Sequence, residues 1–425
     1  MTNYKKLKIT GTPFKRCRKH ATDHLSVAAK GANVIERPLR LPCGATLKNR
    51  LVKSAMSDSL GDGTGNPTPE QIRLYERWAQ GGVALAIIGE VQTDSRYPEK
   101  PGNLVLTRDT KLDAFEDLAR KGTSNGAHLW VQLGNAGALA HPPVSAPKGP
   151  SALALDGLEC AQMSRDEITQ TPRAYATSAG RAKEAGFSGV QIHAAHGFLL
   201  SQFLSPLFNR RTDDYGGSIT NRMRIVFEVI EAVRKVVGEN FPVGIKINSS
   251  DKLVGGLDEH DALEAVRMLE GTSIDLIDIS AGTYFPGAQN TSDATRMSAP
   301  YFIEFAERAR GVTGIPVMAT GGFRMRKHAI NALEQKQVDA VGLARAMALD
   351  VNLANKWLGG GGDSQFPVFD EPVPGGVTAW YTMRLTALAR DEENNFHLTP
   401  EEALEAYEAR DRQRCEKWRR HFSKK

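Results

Sequence analysis

The chain has 425 residues, 41 % of them apolar and 24 % charged, with a formal net charge of +5. That is the composition of a globular protein with room for one large core or two ordinary ones. No apolar run approaches the roughly 18 residues that a membrane span needs, so no membrane partner is expected.

The charge is uneven along the chain. Residues 1–33 hold Lys5, Lys6, Lys8, Lys15, Arg16, Arg18, Lys19 and Lys30 against one acid, Asp23, a local +7 that leaves −2 for the rest. A body so near neutral gives no reason to expect nucleic acid. Residues 1–34 read as a flexible or surface-packed basic extension. An organelle transit peptide is also basic and acid-poor, but this stretch has one Ser and no clear amphipathic pattern. Cys17, Cys43, Cys160 and Cys415 lie far apart, with no metal or iron–sulfur spacing. A reducing, cytoplasmic setting is the default expectation.

From Leu51 onward short apolar runs alternate with amphipathic helical stretches. The runs are Leu51–Met56, Val83–Val91, Ala127–Leu133, Gly189–His193, Val243–Ile247, Ile274–Ile279, Ile315–Ala319 and Val338–Leu343. Buried parallel strands read as continuous apolar runs, each needing a crossover to the next. Eight such units predict an α/β fold, a (β/α)8 TIM barrel over residues 35–358. The competing doubly wound sheet would place a GxGxxG turn after its first strand, and none is there. Ser164 to Glu167 is a capping-box pattern, Gly186 suits the end of the helix it starts, and Asp258 opens another. The Pro-, Ala- and Gly-rich stretch from Gly134 to Met163 is long enough to be a lid or subdomain. Residues 359–425 read as a linker, Gly359–Gly362, followed by C-terminal helices: an apolar one over Gly375–Ala389 that docks on the barrel, and one opened by Thr399, Pro400 and Glu402.

Polar residues collect where the runs end, which in a barrel is one mouth. The densest stretch is GVQIHAAHGFLLSQFLSPLFNRRTDDYGGSITN, Gly189–Asn221. It puts His193 and His196 at a strand end, then a short apolar helix, a polar loop from Asn209 to Ser218, and a longer helix beginning near Ser218. The Arg and Asp of that loop read as a structural ion-pair network. Zinc would need a third ligand beside the two histidines, and no nearby motif offers one. Lys246, in VGIKIN, sits on a buried strand and needs a negative partner, though its own strand carries no acid beside it. Gly321 and Gly322 close the seventh run, and Ala344 and Arg345 the eighth. Glycine turns and an Arg there make a phosphate site.

HAAHG, QFLSP, NRRTDDYGGS and NR together resemble the signature of the old yellow enzyme family of FMN-dependent oxidoreductases, and the likeness extends from about Arg37 to Asp350. The resemblance implies FMN and NAD(P)H as cofactors and a small-molecule substrate. It implies that His193 and His196 hold the substrate's carbonyl or nitro oxygen. Lys246 then lies against the flavin N1/O2 edge, and Gln132 reads its pyrimidine edge. Ser54, Ala55, Met56 and Ser57 run along the ring, and Gly89 lets it approach. Gly321, Gly322, Ala344 and Arg345 take the phosphate. Phe198 departs from the family: many relatives have Tyr there, whose hydroxyl protonates the substrate. Tyr284 is one residue placed to stand in, with packing an equal reading.

The implied activity is ene reduction, hydride passing from NAD(P)H through flavin to an electron-poor alkene. Phe198 keeps a second reading open, flavin-dependent oxidation of an amine or C–H bond, or isomerisation. A third is a non-redox phosphate-binding barrel. The iron–sulfur flavodehydrogenase branch is excluded by the missing Cys cluster. The sequence leaves open a homo-oligomer.

Overall fold

The computed structural model describes residues 33–288 and 300–422. Most of the basic start, with Cys17, and part of the loop after the sixth strand lie outside the described residues. Eight parallel strands close into a barrel: β1 Leu51–Lys53, β2 Leu85–Gln92, β3 His128–Gly134, β4 Gly189–Ala194, β5 Val243–Asn248, β6 Leu276–Ser280, β7 Val317–Thr320 and β8 Ala340–Leu343, with β8 pairing back to β1. All eight apolar runs became strands. Outside them lie α1 Pro69–Gln80, α2 Asp113–Gly122, α3 Arg165–Glu184, α4 Arg224–Val237, α5 Glu259–Leu269, α6 Ile303–Arg310 and α7 Arg326–Glu334. Two short helices, Arg345–Leu349 and Leu353–Leu358, follow β8.

Local chemistry accounts for the helix starts. Thr68 caps α1 ahead of Pro69, Asp258 caps α5, and Ser164 with Glu167 forms a reciprocal capping box on α3. Gly186, at φ +86°, follows the end of α3 in a conformation that suits glycine.

The barrel interior is layered. An N-terminal hairpin, Leu39–Arg40 with Thr46–Leu47, plugs the bottom. Leu39, Leu41 and Leu47 join Val52, Ile87, Trp130, Leu276 and Met318 in one apolar cluster. Trp130 takes the room left by two glycines: a Cβ on Gly189 would meet its ring at 2.4 Å, and one on Gly244 at 3.0 Å. Two residues on, the period-2 alternation of a strand brings the next side chain to the same face. That step turns the interior from apolar to polar: Trp130 to Gln132, Gly189 to Gln191, Gly244 to Lys246, Leu276 to Asp278, Met318 to Thr320.

The Gly134–Met163 stretch is more ordered than a lid loop. It contains a three-stranded sheet, Lys148–Gly149, Leu153–Leu155 and Leu158–Gln162. Strands this short carry no readable alternation. The C-terminal helices are α8 Gly376–Ala389 and α9 Pro400–Phe422. α8 packs against α1. α9 crosses the mouth loops: Arg414 Nη1 donates to Ser59 O at 2.6 Å, Trp418 Nε1 to Ser95 O at 3.2 Å and Arg419 Nε to Pro143 O at 2.8 Å. No described helix is long and apolar enough to cross a membrane. Cys43, Cys160 and Cys415 are buried and form no disulfide among the described residues.

Candidate active site

Strand β4 hands both histidines to the mouth. His193 is 1 % exposed, and its Nδ1 accepts the Ala195 N–H at 3.2 Å. The proton is therefore on Nε2, which finds no hydrogen-bond partner among the described residues. His196 is half-buried at φ +60°, a conformation rare for a residue with a Cβ, and its Nε2 lies 2.8 Å from Ser280 Oγ. Burial, and then the nearby Lys246 ammonium, press the His193 imidazole down to about 3. Burial, His193 and Lys246 hold His196 low as well. Both rings are neutral at physiological pH, so each offers one N–H and one lone pair. The rings stand edge to face at 5.2 Å, and Phe198 meets His193 at 4.9 Å. Phe198 is 2 % exposed and has no polar atom to offer.

Behind the histidines runs a polar ladder across the barrel. Lys246 Nζ lies 2.9 Å from Asp278 Oδ2 on the adjacent strand, where the two residues are in register. The strand of Lys246 carries no acid of its own, as read from the sequence, and the negative partner comes from β6. Asp278 also accepts from Gln191 Nε2 at 3.2 Å and Thr320 Oγ1 at 2.7 Å. Gln132 Nε2 donates to Gln191 Oε1 at 2.7 Å, and Thr320 Oγ1 lies 2.8 Å from Ser54 Oγ. Gln191 thus holds Gln132, and Asp278 holds Lys246.

One cleft joins this ladder to the ends of β7 and β8. Ala55, His196, Lys246, Tyr284, Gly321 and Arg345 are among its lining. Gly321 and Gly322 have φ of +129° and +79°. A Cβ on Gly321 would sit 3.2 Å from the rings of Tyr301 and Phe302, so glycine keeps this end open. The buried Tyr301 hydroxyl lines the same cleft without a partner among the described residues. Arg345 opens a short helix and lies 5.6 Å from the Tyr381 ring of α8. A long cleft with an ammonium at one end, a guanidinium with glycine turns at the other, and orphaned buried donors fits FMN. Bound there, FMN would have Lys246 near its ring and Arg345 near its phosphate.

Other expected site residues are placed differently. Met56 and Ser57 follow Ala55 on the segment leaving β1, both partly exposed. Gly89 does not open space for a ring: a Cβ there would meet the Met56 carbonyl oxygen at 2.3 Å, so its smallness admits the neighbouring main chain. Tyr284 is 61 % exposed, with its ring 6.1 Å from His196 and 5.8 Å from Phe198. In the Asn209–Ser218 loop Arg211 pairs with Asp213 and also ties the loop to the carbonyls of Pro150 and Met163 outside it. Gln191 and Asp278 were not read from the sequence. The available signal was a polar residue two positions from a site residue, or in the middle of an otherwise apolar run.

The profile of the NADH:flavin oxidoreductase / NADH oxidase family matches residues 37–360. A relative from Neonectria sp. (strain DH2), NADH-dependent flavin oxidoreductase iliE, is 35 % identical over 73 % of this chain and 45 % of its own. NADPH dehydrogenase of Bacillus pumilus is 33 % identical over 72 % of this chain and 89 % of its own. Among solved structures, a 2-naphthoyl-CoA reductase aligns with TM-score 0.72 and 25 % identity over 77 % of this chain and 52 % of its own. Morphinone reductase aligns with TM-score 0.67 over 80 % and 92 %, at 24 % identity, a likeness of fold. The chain therefore spans about half the length of some relatives and most of others. It belongs to the NADH:flavin oxidoreductase / NADH oxidase family, a flavin-dependent oxidoreductase with FMN and a nicotinamide as its cofactors.

Proposed function

We propose that this protein is an ene-reductase, moving a hydride from NAD(P)H through FMN to an electron-poor alkene such as an α,β-unsaturated carbonyl. The observation that carries the reading is the single cleft on which His196, Lys246 and Arg345 all open. FMN, when bound, accepts the nicotinamide hydride and passes it on at N5. Ser54, Ala55, Met56, Ser57, Gln132 and Lys246 would hold its ring, with Gly89 bringing the first two strand ends together. Gly321, Gly322, Ala344 and Arg345 would hold its phosphate. The Lys246 ammonium stabilises negative charge at its end of the cleft.

His193 and His196 act as neutral donors. The orphaned Nε2–H of His193 binds the substrate oxygen, and His196 gives a second N–H while Ser280 satisfies its other nitrogen. Two donors aimed at an oxygen that gains charge favour the enolate over the ground-state carbonyl. Phe198 and Tyr284 wall the substrate with their rings. Because both imidazoles are neutral well below pH 7, the substrate-oxygen contacts do not titrate in the working range.

The test is anaerobic reduction of the purified yellow protein by NADH and by NADPH, then mixing with enones, nitroalkenes and amines. Reoxidation by enones or nitroalkenes, with reduced product formed, is the expected result. Turnover on amines alone would replace this reading with amine oxidation. A protein that FMN cannot colour would replace it with a non-redox barrel.

A further inference from the structure

Beside the histidines lies a buried carboxyl group, Glu90, with the partly exposed Glu99 near it, and no role above uses either. The pairing of β2 with β3 slips between Ile88 and Val91, and Glu90 sits in the slip at φ +58°. A left-handed conformation at a non-glycine residue is a local strain that the surroundings must hold. Here it turns the Glu90 side chain toward the site. Glu90 is 7 % exposed, and its Oε1 lies 3.4 Å from His193 Nε2, the orphaned donor. Its Oε2 runs past Gly134 at the end of β3, where a Cβ would approach to 3.6 Å. Glu99, in the loop after β2, stands behind it and takes Asn103 Nδ2–H at 3.4 Å.

The groups that face Glu90 are few. Burial pushes its carboxyl up to about 8, against the pull of the Lys246 ammonium and a hydrogen bond from Gln92. Burial and then Glu90 itself push Glu99 up to about 7. Tyr175 and Tyr284, both uncharged phenols, and the neutral His193 complete the set among the described residues. A carboxyl taken out of water beside a second carboxyl holds its proton to higher pH.

We propose that Glu90 is the acid of the alkene half-reaction, giving its carboxyl proton to the substrate carbon next to the carbonyl, the task for which Phe198 has no hydroxyl. This rests on the ene-reductase reading. Once hydride has added to the β carbon, the alkene π pair resides on the substrate oxygen as an enolate, held by His193 and His196. Re-forming the C=O bond pushes that pair onto the α carbon. A C–H bond forms there as the Glu90 O–H bond breaks, leaving a carboxylate. Solvent returns the proton to the carboxylate. No oxidant or reductant beyond the hydride donor is consumed.

Glu90→Gln tests it. The amide is isosteric, so the 3.4 Å packing against His193 Nε2 is kept while the proton is lost. With the flavin-loaded protein, reoxidation by 2-cyclohexenone should slow at least ~100-fold relative to reduction by NADPH, in line with the usual contribution of a general acid. The wild-type rate should fall as pH rises through about 8, where Glu90 loses its proton, and the variant should lack that fall. Phenol, titrated as a flavin-site ligand, should bind the variant within about 3-fold of wild type. Infrared difference spectra between pH 6 and pH 10 should show a protonated-carboxyl band in the wild type that Glu90→Gln removes. Adding Phe198→Tyr to Glu90→Gln should restore much of the rate. A variant as fast as wild type, or a parallel loss of phenol binding and rate, or no titrating carboxyl band, overturns the role. A wild type that accepts electrons from NADPH and gives none to any enone overturns the ene-reductase reading and this role with it.

Discussion

Two lysines sit fully inside this protein on barrel strands, and they solve the same problem in opposite ways. Lys246, on β5, points into the barrel and meets Asp278 at 2.9 Å, at the edge of the cleft. Lys53, on β1, points outward between the barrel and α1 and is 0 % exposed. Its Nζ has the Tyr75 hydroxyl and the Ile87 carbonyl at 3.3 Å, and the Trp78 ring centroid at 4.3 Å, with no carboxylate in contact among the described residues. Asp58 is reached only through the Tyr75 hydroxyl, 2.9 Å from it. Burial accordingly pulls the Lys53 ammonium down to about 7. On β5 the buried cation is paired with a carboxylate from the next strand. Where burial comes without such a partner, the group drifts toward neutrality.

The sharpest way to break this contrast is Lys246→Met. It strands the Asp278 carboxylate, and removing one partner of a buried pair costs roughly 3–5 kcal/mol. Thermal unfolding of the flavin-free protein should show it, and the variant should retain little flavin. Adding Asp278→Asn should recover stability without recovering flavin. If flavin content returns with stability, Lys246 serves the fold alone.

Lys53→Met should act in the other direction. The folded-state value lies below the ordinary 10.5, so between about pH 7 and 10.5 the unfolded chain binds more protons and wild-type stability rises with pH. The penalty for charging the buried amine is fully present below about pH 7, and is worth roughly 1.4 kcal/mol per unit of the shift. The methionine variant should be the more stable at pH 6.5, with the gap closing toward pH 10.5. A pH-independent difference in denaturant midpoint would show that Lys53 does not titrate there.

Thr320→Val is a finer probe of the ladder. It removes the hydroxyl that bonds Asp278 at 2.7 Å and Ser54 at 2.8 Å, for an expected loss of about 1–2 kcal/mol. Arg165→Ala is the smallest: with its exposed pair to Asp214 at 3.2 Å screened by solvent, the denaturant midpoint should stay close to wild type. A larger loss would give the Asn209–Ser218 region more weight than its exposure allows.

How much of this was legible in the sequence differs between the two lysines as well. Lys246 stood out as a charge in VGIKIN with polar strand ends around it. Lys53 did not, because it abuts Ser54 and the face it takes depends on the pleat of β1. The histidines of HAAHG, the glycines after β7 and Arg345 were readable as a mouth. Asp278 was hidden within an apolar run, and Glu90 within another, because a strand's composition does not say which residue a slip in pairing will turn inward. The short strands after Gly134 were unreadable for want of length.

Local pattern alone settled the eight strands, the helices between them with their caps, and which strand ends are polar. Those depend on periodicity and on neighbours a few residues apart. Only the tertiary structure could set Asp278 against Lys246, turn Glu90 toward His193 and seat α9 on the mouth loops. Pairing register and packing bring together residues far apart in the chain, and no local spacing encodes that choice.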